Sequence, residues 1–176
     1  MHRQRLALAA VGALLTVPVL LIGSSPAAIH RAGSGEAKAK IARQLAGSWQ
    51  LVSFVLRNAD GTLSYPFGRD AVGKLTYTRD GNQWAGLGRR GVAKNLPDAL
   101  WYTGTFDINL KRHTVIHHVQ YSNISAYERN DLVRSYKLGR NRLTLTVAPT
   151  APAGQTGVLT WKRQRVHAPE AVRLSG

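Results

Sequence analysis

Cysteine is absent from the 176-residue chain. That excludes disulfides, thiolate catalysis, cysteine-ligated zinc or iron–sulfur clusters, and a lipid-modified cysteine at a lipoprotein cleavage site. Acidic residues are scarce: nine Asp and Glu stand against 24 Lys and Arg, giving a net charge of +15 and a pI near 11.1. The sequence also lacks Gly-x-Ser-x-Gly, a phosphate-cradling glycine loop and a paired-carboxylate motif, so common hydrolase and nucleotide-binding signatures are missing. Hydrophobic residues are not scarce. At 44 % of the chain they suffice for a core and exclude wholesale disorder, and the length fits one domain after any targeting segment.

The first residues read as an address. His2, Arg3 and Arg5 precede an uncharged run from Leu6 to Ile22, followed by the small residues Gly23 to Ala28. Basic, apolar, then small is the layout of a secretory signal, here 1–27 with cleavage after Ala27. The alternative is an uncleaved anchor, although Leu6–Ile22 is near the lower length for a span and Pro18 interrupts it. Arg3 and Arg5 are not adjacent, so a twin-arginine signal is not supported. The expected destination is a periplasm or the cell exterior, where a domain without disulfides relies on its core alone. Asn123-Ile124-Ser125 matches the glycosylation triplet, which matters only in a eukaryotic secretory route.

Residues 28–36 read as a linker, and 36–45 as a short helix with Ser34 as its cap and Gly47 as its stop. From Gly47 the hydrophobic period falls to about two. Strands are expected near 48–57, 72–79, 82–88, 100–108, 113–121, 131–138, 142–148 and 156–163. Asp80-Gly81 between two such runs predicts a tight hairpin, and Pro149 to Gly154 a loop. Eight short strands in up-and-down order predict an all-β closed antiparallel barrel over 46–166, with 167–176 as a tail. Closure would make the first and last strands neighbours. Arg163 is then expected to cover Trp49 and seal one barrel end.

The run Gly47-Ser48-Trp49-Gln50-Leu51-Val52-Ser53-Phe54 resembles the start of the bacterial and fungal lipocalin-like domain family. The likeness continues through Tyr65-Pro66-Phe67-Gly68-Arg69-Asp70, Tyr102-Thr103-Gly104-Thr105-Phe106 and Leu159-Thr160-Trp161-Lys162-Arg163, in order across 46–165. Residues 86–99 depart from it in being shorter and more basic. The resemblance implies a lipocalin-like barrel and names no ligand, because a fold does not fix a function.

Alternation along strands sorts the candidate residues. His117 and His118 point to opposite faces, and His113 lies about 13 Å from His117 along an extended strand. No metal site, and no cofactor, is therefore expected. His117 shares a face with Val115, Val119 and Tyr121, so it is placed inward; Arg134 and Tyr136 share another face with Leu132 and Leu138. A buried Arg134 needs a partner, either a ligand carboxylate or Asp107 or Glu128. Tyr77, Trp84, Trp101, Tyr102 and Phe106 are expected to furnish the walls. The expected ligand-contact set is Tyr77, Trp101, His117, Arg134 and Tyr136.

Three readings follow. The first is an exported binding protein for a small, largely apolar or amphipathic ligand, which asks for an interior cavity on the order of 300 Å³. The second is a barrel enzyme for proton-transfer chemistry such as cyclisation or isomerisation. There His117 would be acid/base, with Asp70 as a further candidate and Tyr136 or Arg134 stabilising charge. No sequence feature demands turnover. The third is a protein whose basic surface meets an anionic membrane or envelope surface; with an export signal, nucleic acid is not expected.

Overall fold

The computed structural model describes residues 26–91, 98–150 and 154–165. The signal segment through residue 25, residues 92–97 of the stretch 86–99 and the tail 167–176 lie outside the described residues. One helix, α1 (Pro26–Leu45), leads into β1 (Gly47–Arg57), β2 (Leu63–Ser64), β3 (Val72–Tyr77), β4 (Asn82–Gly88), β5 (Ala99–Asn109), β6 (Thr114–Ser122), β7 (Asp131–Leu138), β8 (Arg142–Thr150) and β9 (Gln155–Arg163). All neighbouring pairs are antiparallel in the order β1-β3-β4-β5-β6-β7-β8-β9, and β9 returns to β1. Eight strands therefore close the barrel, as the strand count and order predicted. The two-residue β2 pairs beyond the end of β3 with the last residues of β1.

Alternation decides what goes inside. On β4, Gln83, Ala85 and Leu87 are buried while Trp84 is exposed; on β6, Val115, His117 and Val119 are buried. The hairpin at Asp80-Gly81 forms as expected, with Thr78 N–H donating to Asn82 O at 2.9 Å. His113 falls just outside β6, in the preceding turn, with φ of 50°.

Two N-terminal expectations are corrected. The helix begins at Pro26 rather than Glu36, so the 28–36 stretch is helical and Ser34 is an interior position, not a cap. Its several alanines favour a helix more than its two glycines oppose it, and Pro26 suits a first helical position. Among the described residues no helix is long and apolar enough to cross a membrane.

The end of α1 plugs one barrel mouth. Leu45 is fully buried beside Trp49, whose Nε1–H donates to Leu45 O at 2.9 Å. Arg163 sits opposite Trp49 in the β1–β9 register and lies over the indole at 4.0 Å. Its guanidinium also donates to the carbonyls of Ala46, at 2.8 Å, and Gln44. Gly47 permits this approach: its φ is +123°, and a Cβ there would stand 3.0 Å from Arg163 Nη1. The far mouth, at the other ends of the same strands, carries no such helix among the described residues.

Candidate functional site

The barrel interior holds a polar layer between the sealed end and the apolar residues nearer the far mouth. His117 on β6 is fully buried, as its strand parity predicted, and both ring nitrogens are bound to tyrosines. Tyr77 Oη is 2.7 Å from Nε2 and Tyr102 Oη is 2.9 Å from Nδ1. A neutral imidazole has one N–H and one bare nitrogen, so one tyrosine accepts from the ring and the other donates to it. Burial, reinforced by the positive charge of Arg134, pushes the His117 pKa down to about 3. Burial likewise raises the phenols of Tyr77 and Tyr102. At neutral pH the cluster is an uncharged hydrogen-bonded bridge. It holds β3, β5 and β6 together across the interior.

Arg134 on β7 completes the layer. It is only 9 % exposed, its charge acts on the Tyr102 phenol, and it donates from Nη1 to Val133 O at 3.1 Å. Neither expected protein partner reaches it. Asp107 faces outward and pairs with Lys38 at 2.7 Å, and Glu128 is exposed in the β6–β7 connection. Among the described residues no carboxylate neutralises this guanidinium.

Arg134 lines a pocket of about 60 Å³ with Phe54, Leu100, Tyr102, Tyr127 and Trp161. Trp161 is buried, and its Nε1–H has no acceptor among the described residues. A cation without a carboxylate and an indole N–H without an acceptor thus border one small space. The pocket is much smaller than the expected cavity of roughly 300 Å³. Large inward side chains, Trp49, Tyr77, Trp161 and His117 among them, fill the rest.

Several placements differ from expectation. Trp84 and Trp101 do not line the interior; they stand on the outer surface, 40 % and 38 % exposed. The reason is parity: Tyr102 points in, so its neighbour Trp101 points out, and Ala85 points in beside Trp84. Tyr121 is likewise outside, because a bulge at Thr103/Gly104 shifts the β5–β6 register beyond Val119. Tyr136 faces inward but is half-buried near the sealed end, edge-on to His113. Asp70 is exposed and ion-paired with Arg90 at 3.4 Å, so it makes no acid/base pair with His117. His118 faces outward, with Nδ1 2.6 Å from the Asp131 carboxylate. Of the expected contact set, Tyr77 and His117 join Tyr102 in one hydrogen-bonded network, and Arg134 lines the pocket beside Tyr102. Trp161 and Tyr127 were not singled out as pocket residues. For Trp161 a period-two reading of β9 held the signal, whereas Tyr127 lies in a 3-10 turn that alternation does not place.

Residues 46–94 match the lipocalin-like domain family. The matched stretch runs from the end of α1 through β4, and so contains Gly47, Trp49 and the Phe67-Gly68-Arg69-Asp70 loop. It agrees with the closed eight-stranded lipocalin-like barrel seen over the described residues. No curated protein matches the chain. The lipocalin-like architecture is commonly a container, and in this chain the container is mostly full.

Proposed function

We propose that this lipocalin-like barrel is a binding protein for a small amphipathic ligand that presents an anionic group, such as a carboxylate, to Arg134. The observation that carries the reading is a buried guanidinium without a carboxylate, bordering the same pocket as an indole N–H without an acceptor. A buried charge is costly unless paired, and a bound anion would supply the pairing. The volume suits a head group and a short stem, with the remaining apolar part lying against Phe54, Leu100 and Tyr127. Proton-transfer catalysis receives less support, because His117 has both nitrogens engaged and stays neutral well below physiological pH.

Titration with hexanoate and with hexanamide, its neutral counterpart, tests the reading. Hexanoate is expected to bind and the amide to bind roughly 10- to 100-fold more weakly, the worth of a charged hydrogen bond. Arg134→Met should erase that difference. Equal binding of acid and amide, or an unaltered preference in the variant, refutes the anion site. Export to a periplasm or the exterior is part of the same proposal, supported by the pattern of residues 1–27. N-terminal sequencing of protein recovered outside the cytoplasm should begin at Ala28; a start at Met1 in the membrane fraction identifies an anchor instead.

A further inference from the structure

The outer surface carries a feature that the interior site does not use. Trp84 on β4, Thr103 on β5 and Tyr121 on β6 are paired in one row, with Tyr121 63 % exposed. Trp101 lies two residues along β5, opposite Gly86. The indole of Trp84 lies against Gly86, where a Cβ would meet its ring at 2.7 Å. Three exposed aromatic side chains therefore occupy three adjacent strands. Beside them is an apolar groove of about 320 Å³ walled by Val72, Leu87, Ala99, Leu100 and both tryptophans, with Lys74 as its charged member.

The register continues this surface into a cationic one. Lys74 on β3 is opposite Gly86 on one side and Gln50 on the other; Gln50 is opposite Lys162, and Lys162 opposite Arg142. Lys74, Gln50, Lys162 and Arg142 are all exposed. The consecutive strands β8, β9, β1, β3 and β4 contain no Asp or Glu. The few carboxylates of the barrel strands are Asp107 and Asp131, on β5 and β7, and both are engaged by basic side chains. An aromatic patch thus borders an acid-free sheet surface on a chain of net charge +15.

We infer that the outer face centred on β3 and β4 docks on an anionic phospholipid bilayer. Trp84 and Trp101 would enter the interfacial zone while Lys74 and Lys162 meet the head-group phosphates. Exposed tryptophans beside cations suit this zone because the ring is largely apolar and its N–H needs a wet neighbour. A contiguous exposed aromatic patch is itself uncommon on a surface that meets only water. A polysaccharide fits less well. Among its described residues the groove offers no hydroxyl or amide side chain to the sugar hydroxyls, which would lose water without replacement. The inference stands independently of the Arg134 pocket, which faces the interior.

The test uses the full chain with phosphatidylcholine vesicles, with and without phosphatidylglycerol, carrying brominated acyl chains. Trp49 and Trp161 are buried and Trp84 and Trp101 exposed, and residues 1–25 contain no tryptophan, so quenching reports this face. Quenching is expected with phosphatidylglycerol present, weaker in high salt, and reduced by Trp84→Phe and by Trp101→Phe. Replacing both by Ala should weaken docking of this face roughly tenfold or more. Lys74→Gln and Lys162→Gln should each cost about fivefold. Unaltered thermal melts confirm that these surface variants fold. Absence of quenching, equal quenching on neutral vesicles, or binding to alginate beads instead of vesicles overturns the inference.

Discussion

Arg163 lies over the Trp49 indole at 4.0 Å while its guanidinium donors cap the carbonyls at the end of α1. One side chain therefore fastens the last strand both to the first strand and to the helix that plugs the barrel. Trp49→Ala removes a fully buried indole and leaves a cavity, with an expected cost of about 3–5 kcal/mol. Arg163→Lys keeps the charge but loses the flat stack and the fork of donors. Its cost should be smaller and measurable, about 0.5–2 kcal/mol. Urea melts of both variants check the pair, and a Trp49→Ala midpoint equal to that of the wild type would contradict it.

The His117 bridge makes stability depend on acid. Below about pH 6.5 the unfolded chain protonates this histidine, whereas the folded barrel holds it neutral down to about pH 3. The fold thus binds fewer protons across that window, and stability falls as pH falls, by about 1.4 kcal/mol per unit from this group. His117→Gln should flatten that part of the profile even if it lowers stability at pH 7. Denaturation midpoints between pH 7 and 4 provide the comparison, and NMR should find the wild-type imidazole not titrating above pH 4. A ring titrating near pH 6.5 would exclude the bridge.

Asn123 does work that its sequence context concealed. Its Oδ1 accepts from Trp101 N–H at 2.8 Å and its Nδ2 donates to Ala99 O at 3.0 Å. The carboxamide extends the ladder along β5 beyond the last paired residue of β6. Asn123→Ala should cost about 1–3 kcal/mol through the two backbone groups left without this partner. Hydrogen exchange of the Trp101 amide should accelerate in the variant. An unchanged exchange rate would assign that amide's protection elsewhere.

Much of the barrel was legible because its strands alternate cleanly. His117, Arg134 and Trp49 fall on inward positions that period two assigns without any knowledge of the pairing. The same rule places Trp101 outside once Tyr102 is inside, so counting both among the walls conflicted with strand geometry. Tyr121 was harder, since the bulge at Thr103/Gly104 breaks the count between it and His117. The absence of a carboxylate beside Arg134 was not legible at all. It depends on where Asp107 and Glu128 end up in space, which no local pattern encodes. The early start of α1 was obscured by Gly33, Ser34 and Gly35, a run whose composition favours a linker.

The β1–β9 seam joins Trp49 to Arg163 and Gln50 to Lys162, positions separated by nearly the whole barrel sequence. Closure therefore waits for the final segment. A chain halted after β8 leaves two unpaired ladders, on β1 and β8, each able to recruit a strand from another molecule. Synthesis of this protein consequently passes through a long interval with an incomplete hydrogen-bond circuit, and that interval ends only when β9 is available to be threaded between them.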